Sequence, residues 1–128
     1  MLSLALMLTL AAEPLVVSSD TGAKVVLFPG DTLQTSGSGT VLAVIQDPGA
    51  QPITLEARGD GNVYLVGHGD LDHVIVRKTG RGTVYFFTRR SRKPPAGDVE
   101  KASALRLWWV GMRMRNAPTV KHQRLATN

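Results

Sequence analysis

Two histidines and two aspartates fall close together in this chain: His68, Asp70, Asp72 and His73, in the order H-x-D-x-D-H. Imidazole nitrogens and carboxylate oxygens are the groups that hold zinc and related ions. A metal held in that way can polarise a carbonyl or phosphoryl group and acidify a bound water. The remaining histidine, His122, lies far downstream. The neighbours of the motif point elsewhere. Val63 to Val66 precede it and Val74-Ile75-Val76 follow it, and β-branched runs favour strands. Gly67 and Gly69 suit a turn, and Asp70 or Asp72 can accept from nearby backbone N–H groups. The expectation is a hairpin in which the second strand returns along the first, with metal binding as the minor alternative.

The motif resembles the H-x-H-x-D-H signature of metallo-β-lactamase-like hydrolases, from which it departs where Asp70 replaces a histidine. That resemblance would imply a metal-dependent hydrolase with further ligands downstream and a helix after the motif. A strand-forming run stands there instead. No Ser-His-Asp set or matched carboxylate pair offers another catalytic centre. The chain contains no cysteine, which excludes disulfides, thiolate metal sites and cysteine nucleophiles. The expectation is a protein that is not an enzyme and takes no cofactor.

The elements that must position these residues are strands. Between Pro14 and Thr88, short apolar or β-branched runs cover residues 15–17, 24–28, 40–45, 53–57, 62–66, 74–78 and 83–88. Turn residues divide them: Pro29-Gly30-Asp31, Asp47-Pro48-Gly49, Gly59-Asp60-Gly61, Gly67 to Gly69 and Gly80-Arg81-Gly82. Ser36-Gly37-Ser38-Gly39 reads as a mobile loop and lacks the Lys-Ser/Thr of a phosphate-binding loop. About seven short strands at this spacing predict an all-β domain over residues 14–88, a small β-sandwich or open barrel. With 128 residues and 43% hydrophobic content there is room for one such core and an extension.

The extension is basic. Residues 1–76 hold Lys24 and Arg58 against eight carboxylates, a net charge of −6, whereas residues 77–128 hold thirteen Lys or Arg against Asp98 and Glu100, a net +11. Residues 89–97, RRSRKPPAG, read as a basic linker stiffened by two prolines. Beyond it, over residues 98–128, Asp98 can cap a helix with Ala102, Leu105, Trp109 and Met112 near one face and Lys101, Arg106 and Arg113 outside it. Leu105-Arg106-Leu107 and Met112-Arg113-Met114-Arg115 also alternate with the two-residue period of a strand, so both elements stay open.

At the N-terminus, the apolar run Leu2–Leu10 followed by Ala11-Ala12 reads as a signal segment over residues 1–12, though without a basic start. It is too short to span a bilayer. The expected location is therefore periplasmic or secreted. The order from Val25 to Val76 then carries a second resemblance. Phe28-Pro29-Gly30, Val41-Leu42-Ala43-Val44 before Asp47-Pro48, Val63-Tyr64-Leu65-Val66-Gly67, Gly69 and Val74-Ile75-Val76 are similar to the N-terminal β-domain of pilus-formation secretins of the tight-adherence type. Bacterial Ig-like domains share the outline. This implies a non-catalytic assembly domain whose partners are envelope or pilus proteins, or copies of itself. The residues expected to bind are Arg89, Arg90, Arg92 and Lys93 with Trp108 and Trp109, because arginine and aromatic side chains dominate interface energetics. The alternative for the tryptophans is packing onto the sheet. The cations would also suit an anionic surface. A competing function is nucleic-acid binding, with phosphates met by the basic half and bases stacked on Trp108, Trp109, Tyr85 or Phe86.

Overall fold

The first eight strands do not return along one another; each crosses to the opposite sheet, and every strand pair is parallel. The computed structural model describes residues 14–46, 51–67, 69–88 and 93–121. Strands β1 (Leu15–Ser18), β3 (Thr32–Ser36), β5 (Ile53–Ala57) and β7 (Val74–Lys78) form a four-stranded sheet in that order. The second sheet runs β10 (Thr119–Lys121), β2 (Ala23–Leu27), β4 (Val41–Ile45), β6 (Val63–Gly67), β8 (Val84–Thr88) and β9 (Glu100–Lys101). The chain is a β-solenoid of about three turns with one helix, α1 (Ala104–Arg113), near its C-terminus. The expected sandwich or barrel is thus overturned, and so is the hairpin at residues 63–76. β6 and β7 lie in different sheets.

The register explains which residues form strands. In one sheet Leu15, Leu33, Leu55 and Val76 stack coil upon coil. In the other, Val25, Ala43, Leu65 and Phe86 do the same. The inward side chains of both stacks belong to one hydrophobic cluster. At roughly 25 cal/mol per Å² of apolar area removed from water, this cluster is the main source of stability. β3 had no apolar run to announce it, because only Leu33 among TLQTS is hydrophobic. It is a strand because β1 and β5 supply ladder partners on both sides.

The two kinds of corner differ. Residues 19–22, 37–40, 58–62 and 79–83 lead from the four-stranded sheet to the six-stranded one and stack directly on each other. A Cβ on Gly59 would collide with the backbone of Gly37, and one on Gly80 with that of Gly59. Likewise Gly61 sits against Gly39, and Gly82 against Gly61. Polar side chains complete the stack: Asp20 Oδ1 accepts from Ser38 N at 3.0 Å, and Asn62 Oδ1 from Thr83 N at 3.0 Å. The segment 36–39, expected to be a mobile loop, is a bonded corner. The opposite corners vary in length. Residues 28–31 close one tightly, with Gly30 at φ +88° and Phe28 N donating to Asp31 Oδ2 at 2.8 Å.

Residues 93–97 are not a free linker. Ala96 bridges the edge of β7, with Val76 N donating to Ala96 O at 2.8 Å and Ala96 N to Val74 O at 2.9 Å. Pro95 is buried there. The helix begins later than the sequence implied. Ser103, not Asp98, is its N-cap, accepting from Arg106 N at 3.1 Å.

The stacked corners make a specific prediction. Gly61→Ala forces apart two backbones and should cost at least ~2 kcal/mol, read as a lower urea midpoint by circular dichroism. Gly111→Ala, in α1 with nothing within 4 Å of an added Cβ, should raise stability by about 0.5–1 kcal/mol through helix propensity.

Candidate functional site

The outer faces of the two sheets are unlike. On the four-stranded sheet they are polar over β3 and β5, with Val16 and Ile75 exposed on the strands at either edge: Gln34 and Glu56 are register neighbours joined at 2.9 Å, and Glu56 pairs with Arg58 at 2.8 Å. On the six-stranded sheet they are apolar over β4, β6 and β8, with Lys24 and Glu100 continuing one ladder at its two ends. One outward ladder runs Leu42, Tyr64, Tyr85 and a second runs Val26, Val44, Val66, Phe87. Tyr64 and Tyr85 stack with centroids 4.9 Å apart and planes 14° from parallel.

Helix α1 covers the first ladder. Tyr64, Ala102, Val110 and Met114 form a second buried cluster, against which Leu42, Tyr85 and Ala117 pack. Arg106 lies over the Tyr85 ring at 4.9 Å from its centroid and donates from Nη1 to the Tyr85 hydroxyl at 3.2 Å. A hydrogen bond to Tyr64, and then the charges of Tyr85 and Tyr64, hold the Arg106 guanidinium above its ordinary pKa. Arg106 and Val110, four positions apart, lie on one side of the helix, and Ala102 before it and Met114 at its C-cap pack along the same stripe. The stripe is apolar except for Arg106, whose charge rests on aromatic faces.

The face opposite this stripe is also apolar and is open to solvent. Leu105 is 66% exposed, Trp108 56%, Trp109 57% and Met112 45%. Their spacing of i, i+3, i+4 and i+7 places them on one side of the helix. The two indoles meet edge to face at 5.5 Å between centroids. Beside them Ala104, Leu107, Trp108, Gly111, Met112 and Arg115 line a shallow hollow of about 460 Å³. Leu107 also borders a cleft of about 200 Å³ over the second ladder, shared with Val44, Val66 and Phe87. The apolar surface is therefore continuous from sheet to helix.

The residues named from sequence are placed as follows. Trp108 and Trp109 are side by side on the exposed face, and packing of both onto the sheet is ruled out by their exposure. Leu105, Trp109 and Met112, expected to share a face with Ala102, face away from the sheet, while Arg106, expected outside, faces it. Lys93 is at a different place, near Asp72 with Nζ 3.9 Å from Oδ2, both more than half exposed. Such a pair contributes at most a few tenths of a kcal/mol. Arg89, Arg90 and Arg92 lie outside the described residues. For nucleic-acid stacking, Phe86 is turned into the core, and Tyr85 stacks on Tyr64 and carries Arg106 on its ring.

The H-x-D-x-D-H stretch is a solenoid corner. Leu71 within it is fully buried and packs over Gly67, where a Cβ would come within 2.8 Å of its Cδ2. Ile53 N donates to His73 O at 3.1 Å, Leu71 N to Lys93 O at 3.0 Å, and Thr88 Oγ1 to Gly69 O at 2.7 Å. His68 lies outside the described residues, and among those described no three His, Cys, Asp or Glu side chains converge. Sequence reasoning overlooked Leu107, Val44, Val66 and Phe87 as site residues. Their signal was available: VVLF, VLAVI, VYLV and VYFF are unbroken apolar runs, which marks strands covered on both faces.

Met114→Ala should loosen the helix, costing about 2–3 kcal/mol and speeding amide exchange over residues 104–113 before that of the strands. Trp108→Ser should change stability by less than ~0.5 kcal/mol. The opposite pattern would mean the helix docks by its other face. No protein-family model, curated protein or solved structure matches this chain.

Proposed function

We propose that the protein is a non-catalytic interaction and assembly module of a bacterial envelope, pilus or secretion apparatus, acting in the periplasm or outside the cell. The observation that carries this reading is the exposed row of Leu105, Trp108, Trp109 and Met112. Exposed aromatic side chains grouped with aliphatic ones are the usual mark of a binding surface. The solenoid supports it mechanically, since a stacked core holds the outer face of the six-stranded sheet, and the helix upon it, in fixed register. The export-like residues 1–12 and the secretin-like order of motifs from Val25 to Val76 favour the envelope. No helix among the described residues is long and apolar enough to cross a membrane.

Fractionation combined with in-cell crosslinking tests the proposal. The native chain should be recovered outside the cytoplasm and joined to envelope material. Trp108→Ser with Trp109→Ser should fold normally and lose that association. Recovery in the cytoplasm on nucleic acid would overturn this reading in favour of nucleic-acid binding.

A further inference from the structure

The exposed face of α1 has a border as well as a centre. At 100° per residue, Arg113 falls at one edge of the Leu105–Trp108–Trp109–Met112 row. Arg115 lines the hollow at the other edge, together with Trp108 and Met112. Both arginines are exposed, as is Lys101 just before the helix. Glu100, also exposed, lies beside Lys101 and is the register partner of Tyr85 beneath the helix. The face therefore has an apolar centre with two indoles, and an arginine at each border.

Resting on the interaction-module reading, we propose that this face seats on the surface of an anionic lipid bilayer. The helix would lie in the headgroup layer, with Leu105, Trp108, Trp109 and Met112 turned into the acyl boundary. Three features favour lipid over another occupant. Indole rings are amphipathic and settle at the membrane–water interface. Arginine guanidinium groups suit lipid phosphates in charge and geometry. An interfacial helix needs only a strongly apolar face and a basic one, with shallow insertion. Nucleic acid would stack on the indoles but has no use for Leu105 and Met112 beside them.

The two tryptophans are the only ones in the chain, so intrinsic fluorescence reports on this face alone. The full chain is mixed with unilamellar vesicles of phosphatidylcholine containing phosphatidylglycerol, and with vesicles of phosphatidylcholine alone. Blue-shifted emission and co-sedimentation with the anionic vesicles are expected, with much weaker binding to the neutral ones. Arg113→Gln with Arg115→Gln should weaken anionic binding by roughly 30-fold, from the usual contribution of each basic residue near such a surface. Leu105→Glu with Met112→Glu keeps both fluorophores, the fold and residues 1–13, and should abolish the shift and the sedimentation.

No shift with anionic vesicles overturns the lipid assignment. Equal binding to neutral vesicles, or binding that survives Leu105→Glu with Met112→Glu, also overturns it. Crosslinking to an envelope protein that still depends on Trp108 and Trp109 would then leave the interaction module standing with a protein partner. Loss of both results would remove the two readings together.

Discussion

Backbone meets backbone at one corner of every coil, and the remainder of the solenoid is set by that approach. Gly37, Gly59 and Gly80 form one column, and Gly39, Gly61 and Gly82 the next, with no space for a side chain between successive members. Parallel strands must stand about 4.8 Å apart to bond, and a corner that carried Cβ atoms here would hold them wider. The glycine columns therefore permit the ladders on both sides of the corner. Once register is fixed there, the period-two alternation of each strand decides which side chains are inward. A slip of one residue would turn Leu33, Leu55 and Val76 outward together. The opposite corners need no such columns, which is why they tolerate unequal lengths.

Fixed register also gives the outer surface its character. Whatever follows an inward residue is displayed in a row beside its counterparts from the other coils. In β3 and β5 those residues are polar, so the row is solvated and cross-linked by Gln34, Glu56 and Arg58. In β4, β6 and β8 they are Leu42, Tyr64, Tyr85 and Val44, Val66, Phe87. An apolar row of this extent cannot be left in water without cost, and α1 covers part of it. The Tyr64–Tyr85 stack adds about 0.5–1.5 kcal/mol beyond its area. The fold thus separates two tasks: the polar sheet faces solvent, and the apolar sheet seats the helix.

Strand locations were legible in the sequence, while their connection was not. Seven runs of β-branched and aromatic residues fall on β1, β2, β4, β5, β6, β7 and β8. Turn residues mark where each ends but carry no sign of where the chain goes next. A hairpin and a crossing to the opposite sheet use the same Gly, Asp and Asn. What separates them is recurrence: Gly-x-Gly at 37, 59 and 80, with Leu33, Leu55 and Val76 in the same phase, is a repeat of a little over twenty residues. Recurrence at that period marks coil stacking. β3 was hidden because polar Thr, Gln and Ser become strand only when ladders on both sides require it. At the candidate site, the aromatic pair Trp108 and Trp109 was visible from composition. The neighbours Leu107, Val44, Val66 and Phe87 come together only through the solenoid register.

The orientation of α1 was hidden for a further reason, and that reason bears on what the helix is for. ALRLWWVGMR carries both of its arginines, Arg106 and Arg113, on one side and apolar residues around the rest, so the side holding the cations is the one expected to face solvent. Apolarity alone would have put Leu105, Trp109 and Met112 against the sheet. The sheet selects otherwise because its outer row ends in two stacked tyrosines. A tyrosine face attracts a guanidinium, and Arg106 can reach one only if the 102–106–110–114 stripe is turned inward. The cation rests on that ring, and the larger apolar side chains are left on the outside. The sheet covers one side of the helix, and Leu105, Trp108, Trp109 and Met112 stay exposed on the other.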